Sequence, residues 1–425
     1  MRTALLFALA ACAHERYVIS PPEEIDDPAA HLAFRAADLA GYEAAFRLTW
    51  NGERIGDARE RFVRDGDGWR FERNERIQVL RSGALATART RVTIAVDDVL
   101  VPRRIDVERE TGPARAAGRA VRLRDGSWQI VDDGAAVRIV DAAAVPSTLV
   151  PLLVAARGAR GYDGPILVEG AGLASARIVV EVAGRVSRTR FITAAGEIRS
   201  EARLDDRGFV AVAGGSVGLA SERVPPETLD APFAPPEIVA SSAVPVVGRA
   251  PGGRELRLTI TGVAAAPPQR VDFQQVAASG DTWRVVVDEA AVSPPADVRE
   301  RTHHVARTLG DDLGVAVLSS EEALAAGRGD CTAHAVVLAK LLEERGYQAR
   351  LVTGFVLEDA ALRRHRWVTV RVGKAWVPLD PMLDEAPASP RHLALAVHGA
   401  GLDELAFVDD VAFAGWDRAR ARFSP

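Results

Sequence analysis

The stretch Gly327-Arg328-Gly329-Asp330-Cys331-Thr332-Ala333-His334 runs into Val337, Leu338, Leu341 and Leu342, apolar positions at helical spacing, before Gly346 stops the pattern. Cys331 therefore stands at the start of a helix, where unpaired backbone N–H groups and the helix dipole stabilise an anion. The thiolate is the reactive form of cysteine, and the same N–H groups can donate to an oxyanion. One position can thus activate a nucleophile and hold a tetrahedral intermediate. A lone cysteine at a helix start also reads as an inert packing residue, and the segments that follow decide between the two.

Ala349-Arg350-Leu351-Val352-Thr353-Gly354-Phe355-Val356 reads as a strand and His365-Arg366-Trp367-Val368-Thr369-Val370-Arg371 as another. Ala375-Trp376-Val377 is a third, leading into Leu379-Asp380-Pro381. Strand alternation puts His365, Trp367 and Thr369 on one face and Val368, Val370 and Val372 on the other, the valines toward the expected core. The order is Gly-Asp-Cys before a helix, Ala-Arg-x-Val-x-Gly after it, His-x-Trp on a strand and Trp-x-x-x-Asp-Pro ending the next. In this it resembles the transglutaminase-like superfamily, over about Gly329 to Pro381.

That resemblance implies a papain-like arrangement with Cys331 as nucleophile, His365 as proton acceptor and donor, and Asp380 fixing the imidazole's tautomer. It implies no cofactor. The implied reaction is acyl transfer at an amide through a thioester, resolved by water as in a protease or amidase, or by an amine as in transamidation. A protein, peptide or peptidoglycan-type amide is the expected substrate class. The alternative is a binding or assembly module that keeps the fold without turnover.

The residue between histidine and tryptophan, usually small in the family, is Arg366 here. With Arg363 and Arg364 it forms a basic cluster that reads as a solvated loop or a preference for acidic substrates. His334, three positions after Cys331, and His392, in Pro390-Arg391-His392-Leu393, read as structural, and Trp367 as a packing aromatic. No group of histidines, cysteines and carboxylates has convincing metal-ligand spacing, and the glycine clusters lack the context of a phosphate loop.

Outward from this region, helical spacing of Val298, Val305 and Leu309 starts near Ala296, so residues 293–425 are expected to form the α+β domain. Residues 41–222 carry short alternating runs bounded by turn chemistry such as Asn51-Gly52, Asp65-Gly66-Asp67-Gly68 and Asp125-Gly126. Val92, Ile94 and Val96 give the clearest apolar face. One helix, Ser147 to about Arg157 with Ser147 as N-cap, is expected to fill the concave side of a half-barrel. The fold class is therefore α+β: an N-terminal antiparallel β-rich, half-barrel-like domain followed by a transglutaminase-like domain. Prolines make residues 223–253 a linker, and 254–292 read as a β segment joining the domains.

The 425 residues hold 48% hydrophobic and 26% charged side chains and carry a net charge of -5, so composition gives no argument for a nucleic-acid partner. Two cysteines exclude a disulfide framework. The first, Cys12, closes Leu9-Ala10-Ala11-Cys12 after an apolar segment too short to span a bilayer. That run resembles the lipobox of bacterial lipoproteins, which implies that residues 1–11 are a lipoprotein signal peptide and Cys12 the lipidated residue, with 12–40 read as a tether. The expected location is the bacterial cell envelope, lipid-anchored and facing the periplasm. Ala13, in place of the aspartate tied to inner-membrane retention, favours the outer membrane.

Overall fold

Turn chemistry sets the first half of the molecule. Asn51 and Gly52 both take positive φ, 50° and 87°, which matches the twist of the strands they join. Ser82 and Gly83 repeat the device at 53° and 81°. The computed structural model describes residues 35–132, 137–141, 143–158, 160–215, 218–248, 254–265, 268, 271–315, 319–405 and 407–424. The residues read as a signal peptide, Cys12 and most of the stretch read as a tether lie outside these residues. Among them no helix is long and apolar enough to cross a membrane.

The first sheet is two antiparallel meanders joined where Glu43–Trp50 pairs with Leu219–Val224, with Val145–Pro146 added in parallel to Gly161–Val168 at one edge. Its edge strands, Arg138–Val140 and Val145–Pro146, are consecutive in the chain, so the fifteen strands curve into a near-barrel. The Trp128 indole N–H donates to the Ala144 carbonyl at 2.7 Å between those edges. Val92, Ile94 and Val96 face inward with Phe62, Phe71 and Trp128. The helix Val150–Ala156 lays Leu152 and Leu153 into the same core. Each such buried side chain contributes about 1.5–3 kcal/mol.

The start of that helix differs from expectation. Ser147–Leu149 is a 3-10 turn with no side-chain cap, and the Ser147 hydroxyl instead donates to the buried Glu169 carboxylate at 2.5 Å. Thr148 adds its hydroxyl at 2.7 Å. A buried carboxylate must be hydrogen-bonded, and that need outweighs local capping.

The second sheet runs in the order Gln274–Ser279, Thr282–Asp288, Glu255–Thr261, Arg420–Phe423, Val244–Val247, Ala361–Val372, Ala349–Glu358, His392–His398. Ala375–Leu379 pairs with the other side of Ala361–Val372. The strands read as a joining segment are thus members of this sheet. The stretch read as a linker contributes Val244–Val247, which pairs with Ala361–Val372 and Arg420–Phe423. Both faces of the sheet are covered. Val368 and Val370 pack with the helices Ala296–Thr308 and Cys331–Glu343, while Trp367 packs with Phe355, Trp283 and Trp416. The valine face is therefore core as expected, but the face bearing His365 and Trp367 is buried too.

Gly354 lies opposite His365 in this sheet, and a Cβ there would stand 2.0 Å from the Leu393 carbonyl oxygen and 3.0 Å from the Trp367 ring. Gly354→Ala is expected to destabilise the fold by about 3 kcal/mol, read as a lowered denaturant midpoint. An unchanged midpoint would mean that the strands separate more easily than this packing implies.

Candidate active site

Asp330 opens the helix Cys331–Glu343. Its backbone is extended, and Oδ1 accepts from the N–H groups of Thr332 and Ala333 at 2.9 and 3.3 Å. Gly329 is needed just before it, because a Cβ there would come within 2.2 Å of the Ala333 Cβ. Ala333, Val336, Val337 and Leu342 bury the inner face, and Gly346, at φ 82°, follows the end of the helix. His334 is fully buried, its Nδ1 and Nε2 each 3.1 Å from a carbonyl oxygen, those of Asp330 and Leu309. It fastens the helix start to the preceding chain.

Cys331 is partly exposed and forms no disulfide. His365, on the strand Ala361–Val372, hydrogen-bonds the cysteine side chain and turns Nε2 toward Asp380 Oδ2 at 2.6 Å. The structure therefore brings Cys331, His365 and Asp380 together from one helix and two neighbouring strand positions. Asp380 is fully buried and its hydrogen-bonding capacity is filled. Oδ1 accepts from the N–H groups of Met382 and Leu383 at 3.0 and 3.1 Å.

The other imidazole on Asp380 Oδ2 is that of His392, with Nε2 at 2.7 Å and Nδ1 2.9 Å from the Ser389 carbonyl. His392, expected from the sequence to be structural, begins the strand His392–His398 and is tied to Asp380. Its link to Asp380 was hidden because a chain turn separates them and no periodicity connects them. Trp367, fully buried, lies 6.1 Å from the His365 ring and 5.1 Å from that of His392, centroid to centroid, and shields both. The candidate ligand atoms of His365, Asp380 and His392 lie within 4.8 Å of one another. Both Nε2 atoms, however, aim at the same carboxylate oxygen at hydrogen-bond distance, the geometry of imidazoles held by a carboxylate.

Burial works against charge on His365, but the Asp380 carboxylate outweighs it and, with Cys331, holds the imidazole well above its ordinary value. Burial likewise would raise Asp380, yet His365 and His392 keep its carboxyl far below the usual range. The pair is an ion pair at neutral pH, a state that can share the thiol proton.

Arg366 overturns the reading of a solvated basic loop. Its side chain is only 5% exposed, with Nε donating to Thr353 Oγ1 at 3.0 Å and Nη1 to Thr332 Oγ1 at 2.9 Å, while Nη2 pairs with Asp409. Arg364 lies over the Phe413 ring, 4.5 Å from its centroid. His398 donates to or accepts from Thr353 Oγ1 at 3.1 Å; burial, then the Arg366 charge, pushes it down to about 4, so it is neutral at pH 7. Arg366, Thr332, Thr353, His398 and Asp409 form a polar wall behind the helix Cys331–Glu343, legible only once these residues are seen together.

Residues 301–381 match the family model described as the Transglutaminase-like superfamily. Among solved structures, the chain is similar to a β-barrel-like protein of domain of unknown function DUF1849 from Brucella abortus. That likeness has a TM-score of 0.33 and 12% identity, over 44% of this chain and 96% of that one. It is also similar to "a Putative Cysteine Protease" from Cytophaga hutchinsonii, with a TM-score of 0.24 and 12% identity over 40% and 86% of the two chains. A DUF1089 family protein from Pseudomonas aeruginosa gives 0.27 and 17% over 36% and 87%. No curated protein matches the chain.

Proposed function

We propose, from the premise that residues 301–381 form a transglutaminase-like core, that this protein performs acyl transfer at an amide with Cys331, His365 and Asp380. The observation that carries the reading is the buried His365–Asp380 ion pair facing a thiol at a helix N-terminus. The thiolate adds to the amide carbonyl carbon. The oxyanion takes the Cys331 N–H, since the Asp330 cap uses those of Thr332 and Ala333. Protonated His365 gives its proton to the amine as the C–N bond breaks, leaving a thioester. His365 then deprotonates water, or an acceptor amine, which displaces the thiol.

Hydrolysis of a protein, peptide or peptidoglycan-type amide fits a water-facing site, and a lipid anchor at Cys12 would hold that activity at the cell envelope. The test is the rate of Cys331 alkylation by iodoacetamide from pH 5 to 9. The thiol is expected to react well at pH 6, and His365→Ala to slow it there by about tenfold or more. A thiol that reacts only at high pH, with His365→Ala indistinguishable from the parent, would return the protein to the binding-module reading.

A further inference from the structure

The helix cap beside the nucleophile carries a charge of the wrong sign. Asparagine or serine would cap as well as aspartate, and a carboxylate next to Cys331 repels a thiolate. Asp330 is 3% exposed, so water does little to screen it. Its free oxygen, Oδ2, accepts from Arg81 Nη2 at 2.8 Å, a contact between residues 249 positions apart.

Arg81 ends the strand Gly68–Arg81 at the tip of a hairpin of the first sheet. The tip is fixed from outside: the Glu237 carboxylate accepts from the N–H groups of Ser82 and Gly83 at 3.0 and 2.8 Å, and Leu80 donates its N–H to the Pro236 carbonyl at 2.7 Å. A second hairpin tip meets the same domain, where Arg109 pairs with Glu322 at 2.9 Å. We propose that Arg81 is a positioning residue of the Cys331 site, supplied by the N-terminal sheet to cancel the Asp330 charge so that the capping carboxylate does not oppose the thiolate.

This rests on the triad reading above and extends it to a residue outside the matched family segment. The charges around the thiol are then Asp330 on its own cap, Arg81 from the hairpin, His365 and Asp380 from the strands, and the Arg366–Asp409 pair behind Thr332. Burial opposes charge on Arg81, but Asp330, aided by Cys331 and Asp409, outweighs it and keeps the guanidinium firmly charged.

The test uses the full chain and the same alkylation profile. Arg81→Met is expected to slow alkylation at pH 6 about tenfold while leaving the rate at pH 9 near that of the parent. Adding Asp330→Asn to Arg81→Met is expected to restore most of the pH 6 rate, a coupling that mere domain docking would not produce. Asp330→Asn alone keeps the cap and leaves Arg81 uncompensated, so it should speed alkylation at pH 6 several-fold, an outcome readable even if Arg81→Met fails to fold. Near-UV circular dichroism checks each fold. An unchanged pH 6 rate in folded Arg81→Met, a double variant no faster than the single one, or a slower Asp330→Asn would overturn the proposal. His365→Ala measured alongside separates the two ideas: if it falls and Arg81→Met does not, the triad stands and the Arg81 role fails.

Discussion

Asp380→Asn is expected to slow turnover by about 10³ to 10⁴ and to destabilise the fold by about 3–5 kcal/mol. Asp380 Oδ2 is the shared acceptor of His365 and His392, and an amide group cannot accept from two imidazoles while neutralising either. His365 would lose its counter-charge and its fixed tautomer together. The stability loss has a pH signature. His365 is raised above its ordinary value of 6.5, so its contribution is complete below that pH and is lost as pH rises through the folded value. Asp380 is depressed from 3.8, so its contribution is present above that pH and is lost as pH falls toward the folded value. Chemical denaturation of parent and variant should therefore differ most near pH 5 and less at pH 9. A difference that grows toward alkaline pH would contradict the ion pair.

Arg366→Met should destabilise the protein by about 3 kcal/mol. The substitution leaves the buried Thr353 hydroxyl and the half-buried Thr332 hydroxyl without their donor. The exposed Asp409 end adds less, because water screens it. The variant also removes a positive charge that helps burial hold His398 down at about 4, so the His398 ring signals in an NMR titration should move to higher pH. A solvated arginine would change stability by less than about 0.5 kcal/mol and leave His398 alone; either result would return Arg366 to the surface.

The parts of this site that were legible in the sequence are those built by local pattern. A glycine, a cap and a cysteine ahead of an apolar helix, then strands bounded by turns, place Cys331, His365 and Asp380 in order along about fifty residues. The rest depends on partners that no period links. His392 matters because the chain turns back after Asp380. Arg366 is buried because Thr332, Thr353 and Asp409 converge on it. Arg81 reaches the site from a hairpin that sequence patterning assigns to a different domain. Ser147, read as a cap, was claimed by Glu169 because a buried carboxylate takes the strongest donors within reach. Strands were easier to find than to pair: residues 254–292 read as extended, but not as members of the sheet of His365.

One of those pairings bears on the order in which the second sheet can close. The strand Arg420–Phe423 sits between Val244–Val247 and Glu255–Thr261, two strands translated far earlier. Until it arrives, no strand pairing among the described residues joins the part of the second sheet holding Trp283 to the part holding His365. A nascent chain that has already released Cys331, His365 and Asp380 from the ribosome still lacks this insert. Contacts of such long sequence separation form slowly, so closure of this sheet is expected to be a late step in folding.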